Sequence, residues 1–199
     1  TQLAKYREAS AKLDLCKQIL ESGEHKEEAA NEKASLYKYT AILWQQRGQD
    51  YKALEAIQKT LEMQSKFLGE NDIEFVETYL ILGNIHLALS KPIPAIEYLQ
   101  KGLDIVRFHK GESHPEMAAI YNSMGTYNRI LNRYPEAQRA YERSLQISAE
   151  FLGRDHVEVA KANIGVGLIH QINGELTESL EAFETALEVF KRIFGGEHP

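Results

Sequence analysis

The sequence predicts an all-α fold in which antiparallel helix pairs stack in a row as an α-solenoid. Glycine recurs at positions 69, 111, 153 and 195, and each interval is 42 residues. Self-similarity at a fixed period of this length is typical of repeat architectures, in which each repeat buries its apolar face against its neighbours. Within each period, small and large residues alternate at helical spacing, which indicates two closely packed helices per repeat.

Each period is predicted to contain a first helix, a tight turn, a longer second helix and a glycine-centred loop. The turns contain Gly48, Ser90, Asn132 and Gly174. Each second helix has a small residue followed four positions later by a large one. These pairs are Ala53 and Ile57, Ala95 and Leu99, Ala137 and Tyr141, and Ser179 and Phe183.

The loops between periods contain signals that end one helix and begin the next. The loop glycine suits the left-handed position that follows a helix. A good N-cap residue comes next, with a glutamate three positions later, which is the spacing of a capping box. These pairs are Asn71 and Glu74, Ser113 and Glu116, and Asp155 and Glu158. We therefore expect the loops to have a structural role.

The domain organisation follows from this register. Residues 34–199 are expected to form four units, at 34–75, 76–117, 118–159 and 160–199. Residues 1–33 break the register, and Gln2 to Ser22 is predicted to be a helix that serves as a degenerate half-repeat or a cap. A repeat array needs a polar cap over its last apolar face. None is evident before Pro199, so we expect the chain to be part of a longer protein.

The composition predicts a folded protein, and the cysteine content predicts a cytoplasmic location. Apolar residues make up 43% of the chain and charged residues 26%, a balance typical of globular domains. No apolar run approaches the ~18–20 residues that cross a bilayer, so no membrane insertion is expected. The single cysteine, Cys16, cannot form an internal disulfide. The net charge of −6 argues against nucleic-acid binding through phosphate attraction.

The sequence predicts neither catalysis nor a metal site. His114, His156 and His198 recur once per period, but no second type of ligand lies at coordination spacing. We expect them to be polar residues in a first helical turn. The sequence has no phosphate-binding glycine loop, nucleophile elbow or zinc-binding helix motif. It therefore predicts a protein that is not an enzyme, with no cofactor and no small-molecule substrate.

Gly83, Gly125 and Gly167 in the first helices, together with the small–large–small spacing, resemble the tetratricopeptide repeat. That repeat usually has about 34 residues. The longer period and the Leu-Gly-x-x-His-Pro loop are similar to the repeats of kinesin light chains and of clustered-mitochondria (CLU) proteins. The resemblance covers roughly residues 34–199. It implies a right-handed superhelix that holds a peptide segment of another protein, as a scaffold or adaptor.

The resemblance also implies that the first helices line a concave groove. The mapped positions contain three cations, Lys38, Arg129 and Lys161, and one anion, Glu77, so this face carries +2 on a chain of −6. Such a groove favours acidic peptides. The residues expected to contact the peptide are Lys38, Tyr39, Leu80, Ile81, Asn84, Asn122, Arg129, Lys161, Ile164, Leu168 and Gln171.

Two other functions stay open at this stage. The CLU resemblance implies an RNA-associated or mitochondria-associated factor. Alternatively, the chain is an architectural subunit of a large assembly, in which a neighbouring subunit or a helix of the same protein fills the groove.

Overall fold

The computed structural model describes residues 28–195, and every regular element in that range is an α-helix. This confirms the predicted all-α fold. The predicted helix over Gln2 to Ser22, with Cys16, lies outside the described residues, and so does His198. The helices are α1 (Glu28–Gln46), α2 (Asp50–Phe67), α3 (Phe75–Ala88), α4 (Pro92–Lys110), α5 (Glu116–Ile130), α6 (Tyr134–Phe151), α7 (Val157–Asn173) and α8 (Leu176–Phe194).

The chain divides into two compact units, Thr1–Lys91 and Pro92–Pro199. In the described part of the first unit, α1 packs along α2, and α3 packs against α2. In the second unit, α5 pairs with α6 and α7 pairs with α8. Helix α4 packs against α5, and α7 contacts both α5 and α6. First helices of successive repeats therefore adjoin within the second unit.

The turns that follow the first helices have left-handed backbone. Gly48 and Gly174 have φ of 67° and 82°, and Ser90 and Asn132 have φ of 55° and 58°. Glycine adopts this region without a steric cost, and asparagine adopts it more readily than most residues. The residues that the sequence predicts for these turns therefore occupy the positions that reverse the chain.

The glycine loops follow the prediction in part. Gly111, Gly153 and Gly195 have positive φ, but Gly69 does not. The chain leaves α2 through Leu68, whose backbone is extended, so Gly69 needs no left-handed conformation. By contrast, Leu152 is still helical, and Gly153 makes the reversal with φ of 85°.

The predicted capping boxes are wrong. Helices α3, α5 and α7 begin at Phe75, Glu116 and Val157, later than the predicted caps require. Glu74 therefore precedes α3, and Glu116 and Glu158 are the first and second residues of their helices. A capping box needs the glutamate at the third helical position. In the loop before α3, Asp72 Oδ1 accepts a bond of 2.9 Å from the backbone N–H of Glu74.

The repeating histidines supply this acceptor in the later repeats. His156 precedes α7, and its Nδ1 accepts from the backbone N–H of Glu158 at 3.2 Å. His114 Nδ1 accepts in the same way from Glu116 at 3.3 Å. Both histidines precede the first helical turn instead of lying in it, which corrects the expectation. These histidines recur because each accepts a hydrogen bond from a backbone N–H at the start of a first helix.

Helix pairs approach closely where a glycine meets an aromatic ring. Tyr141 of α6 is 2% exposed, and a β-carbon at Gly125 of α5 would lie 2.6 Å from its ring. One repeat later, a β-carbon at Gly167 would lie 2.9 Å from Phe183. The predicted small-against-large pattern therefore corresponds to direct contacts between the two helices of a pair.

Buried hydroxyl groups join helices in alternate repeats. Thr60 donates to the carbonyl oxygen of Ala34 at 3.1 Å, and Ser144 donates to that of Ala118 at 2.7 Å. The two bonds occupy the same register positions, two periods apart. In each case a hydroxyl of the second helix bonds to a backbone carbonyl of the first helix, and the hydroxyl is thereby satisfied in the core.

Candidate functional site

Helices α1 and α3 of the first unit contain five of the predicted groove residues. Tyr39 is 57% exposed, and Lys38, Leu80 and Asn84 are partly buried. Ile81 is only 7% exposed and belongs to the core, so its expected place at the surface is corrected.

The register explains the burial of Ile81. In the second unit, Ser123 and Gly165 occupy the same register position, and both are also buried. At Gly165, the position faces the ring of Tyr141 on the preceding second helix. This position therefore serves packing between repeats, and it is not part of an open surface.

Lys38 does not contribute a free positive charge. Its ammonium group forms an ion pair of 2.5 Å with Glu77 Oε2, which joins α1 to α3. The ammonium also lies 5.6 Å from the centre of the Tyr39 ring. The two charges that the sequence places on this part of the groove therefore offset each other.

Helices α5 and α7 of the second unit contain the other six predicted residues, and these helices are in contact. Their spacing of three, four or seven residues places them along one face of each helix. Lys161, Gln171 and Ile164 are exposed, and the remaining three are partly buried. We call this set the α5–α7 face, and it consists of Asn122, Arg129, Lys161, Ile164, Leu168 and Gln171.

Arg129 is the distinctive charge of the α5–α7 face. Lys161 is 2.7 Å from Glu158 Oε1, so its charge is offset within one helical turn. By contrast, Arg129 forms no ion pair with any residue in the described range, and its enclosed Nε has no acceptor there. The enclosed Oδ1 of Asn122 also has no donor among residues 28–195.

Apolar side chains extend the α5–α7 face along α7. Ile164 is 36% exposed and Ile172 is 44% exposed, and the partly buried Leu168 lies between them in the sequence. Ile130, at the end of α5, is 39% exposed. The register mapping of the first helices also places Ile130 and Ile172 on the groove face, although neither is among the eleven residues expected to contact the peptide.

His86 and His170, both on first helices, are part of the helix packing. His86 is 8% exposed, and burial lowers its pKa, with a smaller contribution from the positive charge of Lys91. His170 Nδ1 lies 2.5 Å from Glu175 Oε2, and this hydrogen bond is the main cause of the lowered pKa of Glu175. Within residues 28–195, no three side chains of His, Cys, Asp or Glu form a group that could hold a metal ion.

No helix in the described range is both long enough and apolar enough to span a membrane. The tetratricopeptide repeat family matches residues 116–170 and residues 165–199. No curated protein matches the sequence.

Several solved structures have the same fold. BtubC (BKLC) from P. vanneervenii is 19% identical with a TM-score of 0.74, over 100% of this chain and 78% of that one. The nearly identical TPR-like repeats of a putative kinesin light chain from Podosopora anserina are 19% identical with a TM-score of 0.63, over 97% and 90%. MamA is 19% identical with a TM-score of 0.56, over 91% and 88%.

These similarities agree with the helix pairs, the left-handed turns and the glycine–aromatic contacts. Tetratricopeptide repeats form scaffolds for protein–protein interaction, so a protein partner is the expected ligand class. Residues 116–199 match the tetratricopeptide repeat family, and the chain has the fold of kinesin light chain-like repeats.

Proposed function

We propose that this protein is an adaptor that holds a peptide segment of a partner protein on the α5–α7 face. The observations that carry the proposal are the unpaired Nε of Arg129 on α5 and the exposed Ile164 and Ile172 on α7, a helix that contacts α5. A guanidinium group is a planar fork that binds a carboxylate through two parallel hydrogen bonds. The apolar row provides area for aliphatic or aromatic side chains of the peptide.

The charge pairing narrows the class of peptide. Lys38 and Lys161 are engaged by Glu77 and Glu158, so two of the three expected cations are already offset. A strongly acidic peptide would have to compete with these carboxylates. We therefore propose a peptide with one acidic residue flanked by apolar residues, in place of a polyacidic segment.

A peptide-display screen of the whole chain tests the proposal. We expect enrichment of sequences with a single Asp or Glu next to apolar residues. The affinity of an enriched peptide should fall about 10-fold or more in Arg129→Gln, because a charge-assisted hydrogen bond is lost.

Arg139→Gln is the matched control. Arg139 lies on the second helix α6, its side chain is 71% exposed, and it pairs with Glu136 at 3.3 Å. This variant should bind the peptide as the unmodified chain does. Equal losses in the two variants would argue for an unspecific charge effect and against a site at Arg129.

The screen also separates the alternatives. A folded chain that enriches no peptide would favour the architectural subunit. RNA binding that weakens steeply with salt would favour the RNA-associated factor.

A further inference from the structure

Arg143 of α6 is a half-buried arginine that is held by uncharged acceptors. Its Nη1 donates to Gln146 Oε1 at 2.9 Å on the same helix. Its Nη2 donates to the hydroxyl oxygen of Ser113 at 3.0 Å and to the carbonyl oxygen of Glu112 at 3.3 Å. Within residues 28–195, no carboxylate pairs with this guanidinium group. Its position at the loop before α5 is therefore fixed, while its positive charge is not offset.

The next repeat has a carboxylate at the place of Ser113. Asp155 lies 42 residues after Ser113, at the same position of a loop that precedes a first helix. Its Oδ1 is 2.6 Å from Nη1 of Arg192, which lies on α8, the second helix of that repeat. In both repeats an arginine of the second helix therefore binds the same loop position. At Ser113 the negative charge is missing.

The carboxylates nearest to Ser113 in the sequence are already paired. Glu112 Oε1 is 3.0 Å from Arg107 Nε, and Glu116 Oε1 is 2.7 Å from Lys110 Nζ. The negative charges of both glutamates are therefore offset. An additional anion at Ser113 would meet the unpaired guanidinium group of Arg143, so the charges around this hydroxyl favour a negatively charged group in its place.

The hydroxyl group of Ser113 is open to solvent. Gly111, Glu112 and Ser113 are three consecutive exposed residues in the loop between α4 and α5. The hydroxyl oxygen accepts from Arg143, and the hydroxyl proton is donated to no residue of the described range, so a base can remove it. A phosphoserine has a charge of about −2 and three acceptor oxygens, and a guanidinium group binds such oxygens through two parallel hydrogen bonds.

We propose that Ser113 is a phosphorylation site, and that its phosphate group ties the loop to α6 through Arg143. A serine/threonine protein kinase transfers the γ-phosphoryl group of ATP to this residue. The bond between Ser113 Oγ and phosphorus forms as the bond between phosphorus and the β,γ-bridging oxygen breaks, ADP leaves, and the hydroxyl proton passes to the catalytic base of the kinase. The site shares no residue with the α5–α7 face, so it does not depend on the proposed adaptor function.

Phosphorylation of the folded whole chain with ATP and Mg²⁺ tests the site. The probes are purified serine/threonine kinases that select a basic residue three positions before the serine or an acidic residue three positions after it, as Lys110 and Glu116 provide. We expect tandem mass spectrometry to find several-fold more phosphate on Ser113 than on Ser65 and Ser90, which are also exposed. Ser113→Ala is the control and should lose this phosphate.

Three results would overturn the proposal. The kinases phosphorylate a synthetic peptide of residues 107–119 but not Ser113 in the folded chain, which would mean that the loop is closed to them. They phosphorylate neither the peptide nor the chain. They phosphorylate Ser113, Ser65 and Ser90 equally, which would mean that Ser113 is not selected.

A whole chain with phosphoserine encoded at position 113 tests the role of Arg143. The phosphorus NMR signal should titrate at a lower pH in this chain than in its Arg143→Gln variant, because the guanidinium group stabilises the dianion. Phosphorylation should raise the melting temperature by about 2–4 °C, and Arg143→Gln should remove this rise. Arg139→Gln is the matched control, since Arg139 lies on the same helix and pairs with Glu136, and it should leave both readouts unchanged. Titration at the same pH with and without Arg143 contradicts the proposed pairing.

Discussion

The ring of Tyr141 occupies the space where a β-carbon of residue 165 would lie, and Gly165 leaves that space open. The same ring also lies close to Gly125, where a β-carbon would be 2.6 Å from it, and the hydroxyl groups of Tyr141 and Thr126 are 3.1 Å apart. One aromatic side chain is therefore held between the first helices of two successive repeats. A glycine inside a helix costs about 0.5–1 kcal/mol relative to alanine, and this contact explains why Gly165 is there.

Gly165→Ala is expected to lower the free energy of unfolding by about 1–3 kcal/mol through overpacking against Tyr141. The loss should appear although alanine favours the helix by about 1 kcal/mol. Chemical denaturation followed by circular dichroism measures it. The control is Gly69→Ala, because a β-carbon at Gly69 would meet nothing within 4 Å and the φ of Gly69 is not positive.

The rescue variant is Tyr141→Leu in the Gly165→Ala background, since Leu99 occupies the equivalent register position one repeat earlier. The smaller side chain should recover part of the stability lost in Gly165→Ala. A Gly165→Ala variant as stable as Gly69→Ala would contradict the close contact.

Thr78→Val is expected to destabilise the first unit by about 1–3 kcal/mol, because it leaves a buried acceptor without its donor. Thr78 Oγ1 donates to Gln64 Oε1 at 2.8 Å, and Gln64 Nε2 donates to the carbonyl oxygen of Glu74 at 3.1 Å. These bonds join α2 to the start of α3.

The double variant Gln64→Val/Thr78→Ile should be more stable than Thr78→Val alone. It introduces the residues found one repeat later, Val106 and Ile120, both of which are buried. A double-mutant cycle of Gln64→Val, Thr78→Ile and the double variant, measured by urea denaturation, gives the coupling between the two positions. Strictly additive effects would be inconsistent with the hydrogen bond.

The sequence predicts the fold better than it predicts the charge of the groove. The turn residues and the small–large pairs act through local backbone geometry and a fixed register, and both can be read from spacing. The ion pair of Lys38 with Glu77 links residues 39 positions apart, so it depends on how α1 and α3 pack. The ion pair of Lys161 with Glu158 links residues three positions apart on one helix, so it could be predicted from the sequence spacing.

His156→Ala is expected to lower the free energy of unfolding by about 0.5–2 kcal/mol, which is the usual effect of losing an N-cap acceptor. His156 Nδ1 accepts from the backbone N–H of Glu158, and no carboxylate or hydroxyl side chain has this role at the start of α7. His156→Asn is the matched comparison, because the asparagine oxygen can accept the same bond. Thermal unfolding of the two variants measures the effect, and equal losses would rule out a capping role.

The stability of the chain is expected to fall as the pH decreases below about 6.5, in part because of His86. Burial and the charge of Lys91 lower the pKa of His86 in the folded chain from its ordinary value of 6.5. The unfolded chain therefore binds a proton at a pH where the folded chain does not, and stability rises with pH wherever the unfolded state binds more protons. The contribution of His86 is constant above its unfolded pKa and is lost as the pH falls from there through the lower, folded pKa.

Urea denaturation of the unmodified chain and of His86→Gln at a series of pH values isolates this contribution. The difference in unfolding free energy between the two should change in favour of His86→Gln as the pH falls through this window. Lys91→Gln should weaken the dependence without removing it, because burial is the larger cause of the shift. Parallel pH profiles for the unmodified chain and His86→Gln would mean that His86 takes up its proton equally in the folded and unfolded states.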